Sequence, residues 1–379
     1  MTKKILISTA LSGFIKVFLE KDVLILQSMG YEVHFASNNT IDGEKYIPYF
    51  EKMGIVFHQV DFSSNRPFSA NTLHCLNQFS DILKHEHFDA VHIHTPIPGV
   101  VGRLAANKYR RKGTKVLYTT HGFYFHNRSD FKTKLIFKTV EYIMSAMTDA
   151  VITINKEDYE AAKMMLCKKV YYIPGMGVDI KRFRDVEVDR VASRKKLGIP
   201  EDAFMILTVG ELSRRKNHKV IIEALGESNI PEAVFAVCGE ALTDDDTEQQ
   251  LVSLASERGV DLRLLGHRED IPEICKCADI GVLPSLREGL GLAGIEMLAS
   301  GMPIVASGLH GIIDYVIDGY NGFLADPLNS SDFADKIKKL YDPETRKKLA
   351  ANCSYSVEPF SIERSRESIK NIYCEMLNN

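Results

Sequence analysis

The chain has 379 residues, of which 45% are hydrophobic and 26% charged, with a formal net charge of −3. This composition is typical of a soluble globular protein, and the length exceeds that of one ordinary core, so we predict two domains. No apolar run approaches the roughly 18 residues of a membrane-spanning helix, so no membrane span is predicted.

The seven cysteines are scattered, and Cys275 and Cys277 have no partner pair at the spacing of a zinc site. We interpret them as free thiols of a cytoplasmic protein, and no metal or other cofactor is predicted. The start of the chain, Met-Thr-Lys-Lys before a short and interrupted apolar run, favours a first strand over a signal peptide.

The two halves differ in charge. Residues 1–180 contain 22 Lys and Arg against 17 Asp and Glu, whereas the remainder contains 25 against 33. Region 103–138 concentrates ten basic residues and one acid. One interpretation is an ordinary solvated face; the other is a surface for anionic lipid headgroups or a diphosphate-linked acceptor. Nucleic acid fits less well because the rest of the chain is acidic.

Strands and helices alternate through the first half. The predicted strands are 4–9, 32–37, 55–62, 90–94, 115–120, 150–154 and 169–173; the predicted helices are 14–29, 44–53, 71–85, 100–111, 131–147 and 156–165. Repeated βα units require a parallel sheet covered on both faces, so we predict an α/β fold with Rossmann-like sheets. Ligands of such sheets bind beyond the carboxyl ends of the strands.

Several strands of this half end at candidate functional residues. Gly13 lets the backbone approach a ligand closely, and Ser12 beside it fits helix capping as well as binding. His92 and His94 share a face of the fourth strand, but a metal would need a third ligand that we cannot identify. His121 follows the fifth strand and is either a ligand or a buried structural histidine.

A hinge at about 174–185 is predicted from its proline and glycines, and a helix at 186–197 follows it. The alternation then continues with strands 205–209, 234–238 and 263–265. The loop after the first of these strands contains Arg214, Arg215 and Lys216, the kind of cations that a diphosphate needs.

The most informative stretch is 278–307. A buried strand at 278–284 leads into a turn with glycines, a helix from 292 to about 300 and a strand at 303–306; the glycines are at 289, 291 and 294. Unpaired N–H groups and the positive end of the helix dipole make such a turn a phosphate site.

Two carboxylates flank this turn, Glu288 before the glycines and Glu296 after them. Carboxylates repel phosphate, so we expect them to bind neutral hydroxyls on either side of it. A sugar joined to a nucleoside through a diphosphate offers hydroxyls at both ends.

The spacing Glu288-x7-Glu296, with Glu-Gly-Leu-Gly at its start and Gly-x-Pro-Ile-Val at 301–305, resembles the retaining nucleotide-sugar glycosyltransferases of family 4. These enzymes have the GT-B fold, two facing Rossmann-like domains with a cleft between them. The segments 119–123 and 153–158 resemble those of bacterial exopolysaccharide and capsule enzymes, so the resemblance covers nearly the whole chain.

The resemblance implies a set of site residues. The implied catalytic residues are Glu288, His121, Lys216 and Arg215; the implied donor-binding residues are Gly13, Arg268, Gly289, Leu290, Gly291, Leu292 and Glu296. Glu296 would hold the ribose, Glu288 the sugar hydroxyls and His121 the transferred sugar. Arg268 would either stack on the base or belong to the surface.

The chain departs from the family pattern at two positions. Glu211 stands where many members have an arginine that holds the diphosphate, and Arg215 is our candidate replacement. The loop at Gly13 has one glycine where the family often has two, which puts its phosphate contact in question. The implied domains are an acceptor domain, 1–180, a nucleotide-sugar domain, 181–357, and a final helix, 358–379, that returns to the first.

The implied function is transfer of a hexosyl or N-acetylhexosaminyl unit from a UDP-sugar to a saccharide or lipid-linked acceptor, at the inner face of the membrane if the basic region binds lipid. The cations would offset the leaving-group charge without a metal. Two alternatives stay open: a nucleotide-sugar epimerase, which would isomerise the donor alone, and a non-catalytic nucleotide- or glycan-binding protein.

Overall fold

The computed structural model describes residues 2–41, 44–62, 70–241 and 247–377. The sequence also predicts that the acidic run Asp244–Asp246 lies at the surface, and this run is outside the described ranges. The chain divides into two compact units. Unit 1 is Met1–Met176 with Glu363–Asn379, and unit 2 is Gly177–Ile362. In the described ranges, no helix combines the length and the apolar character that crossing a bilayer requires.

Unit 1 contains a seven-stranded parallel sheet in the order β3-β2-β1-β4-β5-β6-β7. Its strands are β1 Lys3–Leu11, β2 Tyr31–Asn38, β3 Val56–Gln59, β4 Ala90–His94, β5 Lys115–Thr120, β6 Ala150–Thr153 and β7 Lys169–Tyr172. The connecting helices are α1 Glu20–Ser28, α2 Ile47–Lys52, α3 Ala70–His85, α4 Pro96–Arg110, α5 Phe131–Ser145 and α6 Lys156–Lys163. Residues Ile5, Leu6 and Ile7 of β1 are fully buried, as a central strand covered on both faces requires.

Unit 2 contains a six-stranded parallel sheet in the order β10-β9-β8-β11-β12-β13. Its strands are β8 Phe204–Val209, β9 Ala233–Cys238, β10 Asp261–Leu264, β11 Ile280–Leu283, β12 Ile304–Ser307 and β13 Gly322–Ala325. Its helices are α7 Ile180–Arg184, α8 Arg190–Lys196, α9 His218–Ser228, α10 Thr247–Arg258, α11 Ile271–Cys277, α12 Leu292–Ala299, α13 Ser330–Tyr341 and α14 Pro343–Ser356. The two parallel sheets confirm the predicted α/β fold with Rossmann-like sheets.

The structure differs from several expectations of local structure. The helix predicted at 100–111 begins at Pro96, because a proline in the first turn needs no N–H partner. The helix predicted at 186–197 begins only after Asp189, whose side chain accepts a hydrogen bond from the N–H of Ala192 and caps it. Ser12 does not cap a helix; its Oγ lies 2.7 Å from Oγ of Ser37 on β2.

Arg103 does not belong to the exposed basic surface that was predicted for 103–138. Its side chain is fully buried, Nη2 donates to Glu141 at 2.9 Å, and the guanidinium lies 4.0 Å from the centre of the Tyr118 ring. A buried arginine needs such a partner to offset its desolvation. Arg103 therefore joins α4 to α5 instead of facing solvent.

The last helix, α15 Ile362–Leu377, packs on unit 1. This helix contains Tyr373, whose hydroxyl lies 2.8 Å from Nδ1 of His92 on β4 and 3.4 Å from Oδ2 of Asp22 on α1. Burial raises the pKa of Asp22 to about 7, although the hydrogen bond from Tyr373 acts in the opposite direction. Asp22 is therefore a proton-holding carboxyl in the interior of the unit.

The raised pKa of Asp22 predicts a pH-dependent stability. Between its ordinary value and about 7 the unfolded chain loses this proton while the folded chain keeps it, so rising pH favours unfolding. Asp22→Asn removes this effect. The difference in melting temperature, Asp22→Asn minus native protein, should therefore be larger at pH 8 than at pH 4, by on the order of 5 °C.

Calorimetric melts at both pH values measure this difference. Asp81→Asn, at an exposed aspartate of α3, is the control and should show no such change. Equal differences at the two pH values for Asp22→Asn would contradict the assignment.

Candidate functional site

The turn between β11 and α12 is built on glycines that its geometry requires. Gly291 precedes α12 with a φ of +80°, a left-handed conformation that favours glycine. A Cβ on Gly294 would collide with the hydroxyl of Tyr315, and that hydroxyl donates to the carbonyl of Gly291 at 2.9 Å. Leu290 is buried, and Leu292 is the first residue of α12. The turn is thus fixed from below by one tyrosine.

Glu288 lies at the start of this turn, surrounded by donors. Lys216 Nζ lies 2.7 Å from its Oε1, Ser285 Oγ 2.8 Å and Arg215 Nη1 3.3 Å. The Glu288 side chain is only 9% exposed and that of Lys216 13%. Burial alone would raise the pKa of Glu288, but the charges of Lys216 and Arg215 hold it below its ordinary value. Glu288 is therefore a buried carboxylate that stays ionised.

Arg215 connects Glu211 to Glu288. Its Nη2 donates to Oε1 of Glu211 at 3.0 Å, and its Nη1 donates to the carbonyl of Arg287 at 3.1 Å as well as to Glu288. Ser213 also donates to Glu211. Glu211, the departure from the family pattern, thus positions the arginine that we named as the replacement. Arg214, in contrast, is exposed.

Glu296, in the second turn of α12, has the opposite electrostatic environment. Burial raises its pKa, and the charges of Arg182 and Lys216 only partly oppose this. Lys216 therefore acts on both carboxylates, Glu288 and Glu296. Neighbouring carboxylates whose pKa values are shifted in opposite directions are typical of functional sites.

Arg268 follows β10 in the same unit. Its Nε donates to Oδ1 of Asp270 at 2.8 Å, and a second hydrogen bond completes a two-point ion pair. The Arg268 side chain is 35% exposed. In this structure Arg268 is engaged with Asp270 and not with the Glu288 cluster, while part of its surface remains available.

In unit 1 the loops after β1 and β5 meet. Phe14, next to Gly13, packs edge-on against the ring of His121 with 4.9 Å between ring centres. A Cβ on Gly13 would come within 2.7 Å of the hydroxyl of Tyr46, so a larger residue here would require that side chain to move. Gly13 and His121, distant in sequence, therefore lie near each other at the carboxyl ends of the strands.

The buried histidines at the ends of β4 and β5, His92, His94 and His121, are neutral. Burial lowers the pKa of His121 to about 4 and that of His92 to about 3. His92 contacts Thr119 through Nε2 and Tyr373 through Nδ1. Among the described residues, no group of three or more His, Cys, Asp and Glu side chains is arranged to hold a metal. Asn155 caps α6 by accepting from the N–H of Asp158.

Both halves of the chain match family models of sugar-transferring enzymes. Residues 25–182 match the Glycosyltransferase Family 4 model, and residues 189–356 match the Glycosyl transferases group 1 model. The putative glycosyltransferase EpsD of Bacillus subtilis strain 168 is 36% identical over 382 residues, which cover 98% of this chain and 97% of EpsD. The chain belongs to the family 4 glycosyltransferases. Its membership supports an enzyme of the transferase class.

Two further comparisons extend this result. This chain is also 32% identical to the UDP-Gal:alpha-D-GlcNAc-diphosphoundecaprenol alpha-1,3-galactosyltransferase of Escherichia coli. The alignment of 313 residues covers 79% of this chain and 78% of that enzyme. The crystal structure of Anabaena HepE in complex with UDP matches with a TM-score of 0.78 at 19% identity, covering 98% of this chain and 100% of HepE. The structural likeness confirms the GT-B fold.

In each unit the structure brings further residues to the candidate residues that sequence reasoning missed. In unit 2, Ser285 donates to Glu288, Tyr315 donates to the glycine turn, and the charge of Arg182 acts on the pKa of Glu296. In unit 1, Phe14 contacts His121. Ser285 lies three residues before Glu288, and Phe14 directly follows Gly13, so nearness in sequence to a predicted site residue was a usable signal. Tyr315 and Arg182 lie far away along the chain, and no pattern pointed to them.

The Lys216–Glu288 pair predicts a measurable coupling. Lys216→Met leaves Glu288 buried with less neutralisation and should lower the free energy of unfolding by about 2 kcal/mol. Glu288→Gln should lower the free energy of unfolding less in the Lys216→Met background than in the native protein, because it then removes an uncompensated charge.

Urea unfolding of the four proteins of this double-mutant cycle measures the coupling. Lys219→Met is the matched control, since Lys219 is an exposed cation paired with Glu223 at the surface, and it should change stability by less than about 1 kcal/mol. Strict additivity of Lys216→Met and Glu288→Gln would show that the pair is not coupled.

Proposed function

We propose that this chain is a retaining, metal-independent glycosyltransferase that transfers a hexosyl or N-acetylhexosaminyl unit from a UDP-sugar to a saccharide or lipid-linked saccharide acceptor in surface polysaccharide synthesis. The observation that carries the proposal is the cluster of Lys216, Arg215 and Glu288 at the N-terminal end of α12. This cluster combines cations for a diphosphate with a carboxylate for the sugar.

The diphosphate is assigned to the start of α12. Gly291 and Leu292 place backbone N–H groups and the positive helix end there, and Lys216 and Arg215 supply full charges beside them. Preorganised cations stabilise the charge that develops on a leaving diphosphate, which is the role a divalent metal has in other transferases. Glu211 holds Arg215 in place for this task.

The carboxylates are assigned to hydroxyls. Ser285, Lys216 and Arg215 all donate to Oε1 of Glu288, which leaves its second oxygen to accept from a hydroxyl of the transferred sugar. An ionised carboxylate there also stabilises positive charge at the anomeric carbon. Glu296, whose pKa is raised by burial, suits the neutral ribose hydroxyls. Gly289 and Leu290 contribute the donor-binding backbone between these two carboxylates.

The remaining assignments follow the resemblance. His121 contacts the transferred sugar, Gly13 gives the donor close access to the backbone, and Arg268 contacts the base. Residues 1–180 bind the acceptor, 181–357 bind the nucleotide sugar, and the helix within 358–379 supports the first of these domains. Uracil is proposed because HepE was crystallised with UDP and the Escherichia coli relative is named for UDP-Gal.

The retained configuration is proposed through a front-face reaction. The bond between the anomeric carbon and the diphosphate oxygen breaks, the acceptor oxygen bonds to the same face of that carbon, and the acceptor proton passes to the departing phosphate. Double displacement would need a second carboxylate as nucleophile beside the sugar. Glu288 instead accepts from three donors, an arrangement that stabilises charge and weakens it as a nucleophile.

A membrane-facing surface is proposed on α5 of unit 1. This helix exposes a row of apolar side chains together with cations; these are Phe131, Leu135, Ile136, Tyr142 and Ile143 with Lys132 and Lys138. Phe131 is 77% exposed and Leu135 58%. Apolar residues among lysines are typical of helices that lie in the interface of anionic bilayers. We therefore place the protein in the cytoplasm at the inner face of the membrane.

The transfer proposal predicts that Glu288→Ala separates binding from chemistry. The variant frees Lys216 and Arg215, so UDP should still raise the melting temperature, whereas sugar transfer to a saccharide acceptor should fall at least about a hundredfold. Melting curves with UDP, ADP and GDP, followed by product analysis with a panel of UDP-sugars, provide both measurements.

Glu344→Ala, on the surface of the same unit, is the control and should leave both measurements unchanged. A native protein that binds UDP but transfers no sugar from any donor would favour the binding protein. Isomerisation of a donor supplied without acceptor would favour the epimerase. A melting temperature that UDP does not raise would contradict the proposed site itself.

The membrane proposal predicts lipid-dependent flotation. The native protein should float with vesicles containing phosphatidylglycerol and much less with pure phosphatidylcholine vesicles, because both the lysines and the apolar side chains contribute. Replacing Phe131, Leu135 and Ile136 by serine should abolish flotation. Leu73→Ser, at an exposed leucine of α3, is the control and should float normally. Self-association lost in the triple variant would identify α5 as a contact between copies instead.

A further inference from the structure

His94, at the end of β4, contacts the candidate catalytic His121. Its Nδ1 lies 3.1 Å from Nε2 of His121, and the ring centres are 5.3 Å apart. His94 is almost completely buried, whereas His121 is partly exposed. Burial lowers the pKa of both rings, so both are neutral. Because the facing nitrogens lie within hydrogen-bond distance, one of them carries a hydrogen and the other accepts it.

The other nitrogen of His94 decides which arrangement is preferred. His94 Nε2 is buried without a hydrogen-bond partner in the described part of the chain. If His121 donated to His94, the hydrogen of His94 would lie on Nε2, as a buried donor without an acceptor. If His94 donates through Nδ1, only a lone pair is left unpaired on Nε2. Orphaned buried N–H groups are rarer than under-satisfied acceptors, which favours donation by His94.

The neighbouring rings hold this geometry in place. His92 lies with its ring centre 4.2 Å from that of His94, and its own nitrogens are occupied by Tyr373 and Thr119, so it does not compete for His94. Phe14 packs edge-on against the ring of His121. The imidazole of His121 is thus fixed in both position and hydrogen-bond direction.

We propose that His94 is a positioning residue that donates its Nδ1 hydrogen to Nε2 of His121 and so keeps the hydrogen of His121 on Nδ1. His121 then meets the sugar as a hydrogen-bond donor to a hydroxyl oxygen. The tautomer follows from the contacts within unit 1 alone. Its use on a sugar rests on the proposed function.

The decisive measurement is the tautomer of His121, read from long-range ¹H–¹⁵N correlations of protein labelled with ¹⁵N-histidine. The His121 signals are assigned by their loss in His121→Gln. The native protein should show His121 with its hydrogen on Nδ1. His94→Phe keeps a ring but removes the donor, so the His121 hydrogen should move predominantly to Nε2. His94→Asn, whose amide can donate from nearly the same position, should restore the native tautomer.

A matched control exists in the same unit. His34 and His58 form another histidine pair, with Nδ1 of His34 2.8 Å from Nε2 of His58, remote from His121 in the sheet. His58→Phe breaks that pair and should leave the His121 signals unchanged. His121 with its hydrogen on Nε2 in the native protein, or an unchanged tautomer in a folded His94→Phe, would overturn the proposal. If His94→Phe does not fold, the native spectrum and that of His94→Asn still decide it.

Kinetics then test the use of this tautomer. With a UDP-sugar that the native enzyme accepts, His94→Phe should lower kcat on the order of tenfold with little change in the donor KM, and His94→Asn should recover most of it. An equal loss of kcat in His94→Phe and His94→Asn would show that His94 contributes through packing alone. A protein with the expected tautomers but no transfer of any sugar would refute the proposed function and leave the histidine assignment intact.

Discussion

The candidate site depends on the cost of burying the carboxylate of Glu288. An ionised carboxylate in the interior is stable only when opposite charges and hydrogen bonds surround it. Lys216, Arg215 and Ser285 provide them, and their convergence on one oxygen fixes the loop after β8 against the turn after β11. A structural requirement of unit 2 thus places two cations beside a helix N-terminus.

The same requirement explains the unusual Glu211. Two cations next to a single buried carboxylate leave an excess of positive charge in the absence of a ligand. Glu211 accepts from Arg215 and partly balances this charge, while it holds the guanidinium in reach of Glu288. A glutamate where the family often has arginine therefore does not remove the cationic site; it orients the arginine four positions further along the chain.

Unit 1 presents a different kind of chemistry. The carboxyl ends of β4 and β5 carry neutral imidazoles, because burial disfavours their charged forms, and their hydrogen bonds are directional instead of coulombic. Unit 2 thus presents ionised side chains at its candidate residues, whereas unit 1 presents neutral donors and acceptors. The α15 helix adds Tyr373 to the neutral network, so the end of the chain supports the interior of its first sheet.

The sequence by itself determined the class of fold and the position of the main motif. Alternating βα segments allow only parallel sheets, and the glycines at 289, 291 and 294 with Glu288 and Glu296 are local features that a short stretch encodes. The extent of β4 and β5 was predicted correctly for the same reason, since hydrophobic periodicity is a local property.

Only the tertiary structure decided which side chains meet. Whether Arg103 faced solvent or Glu141, whether Arg214 or Arg215 approached Glu288, and which groups surrounded His121 all depend on contacts between distant segments. Charge runs in sequence carry no information about direction, because successive residues of a helix point about 100° apart around its axis. Burial and the resulting shifts of pKa are properties of the packed chain, and no single segment contains them.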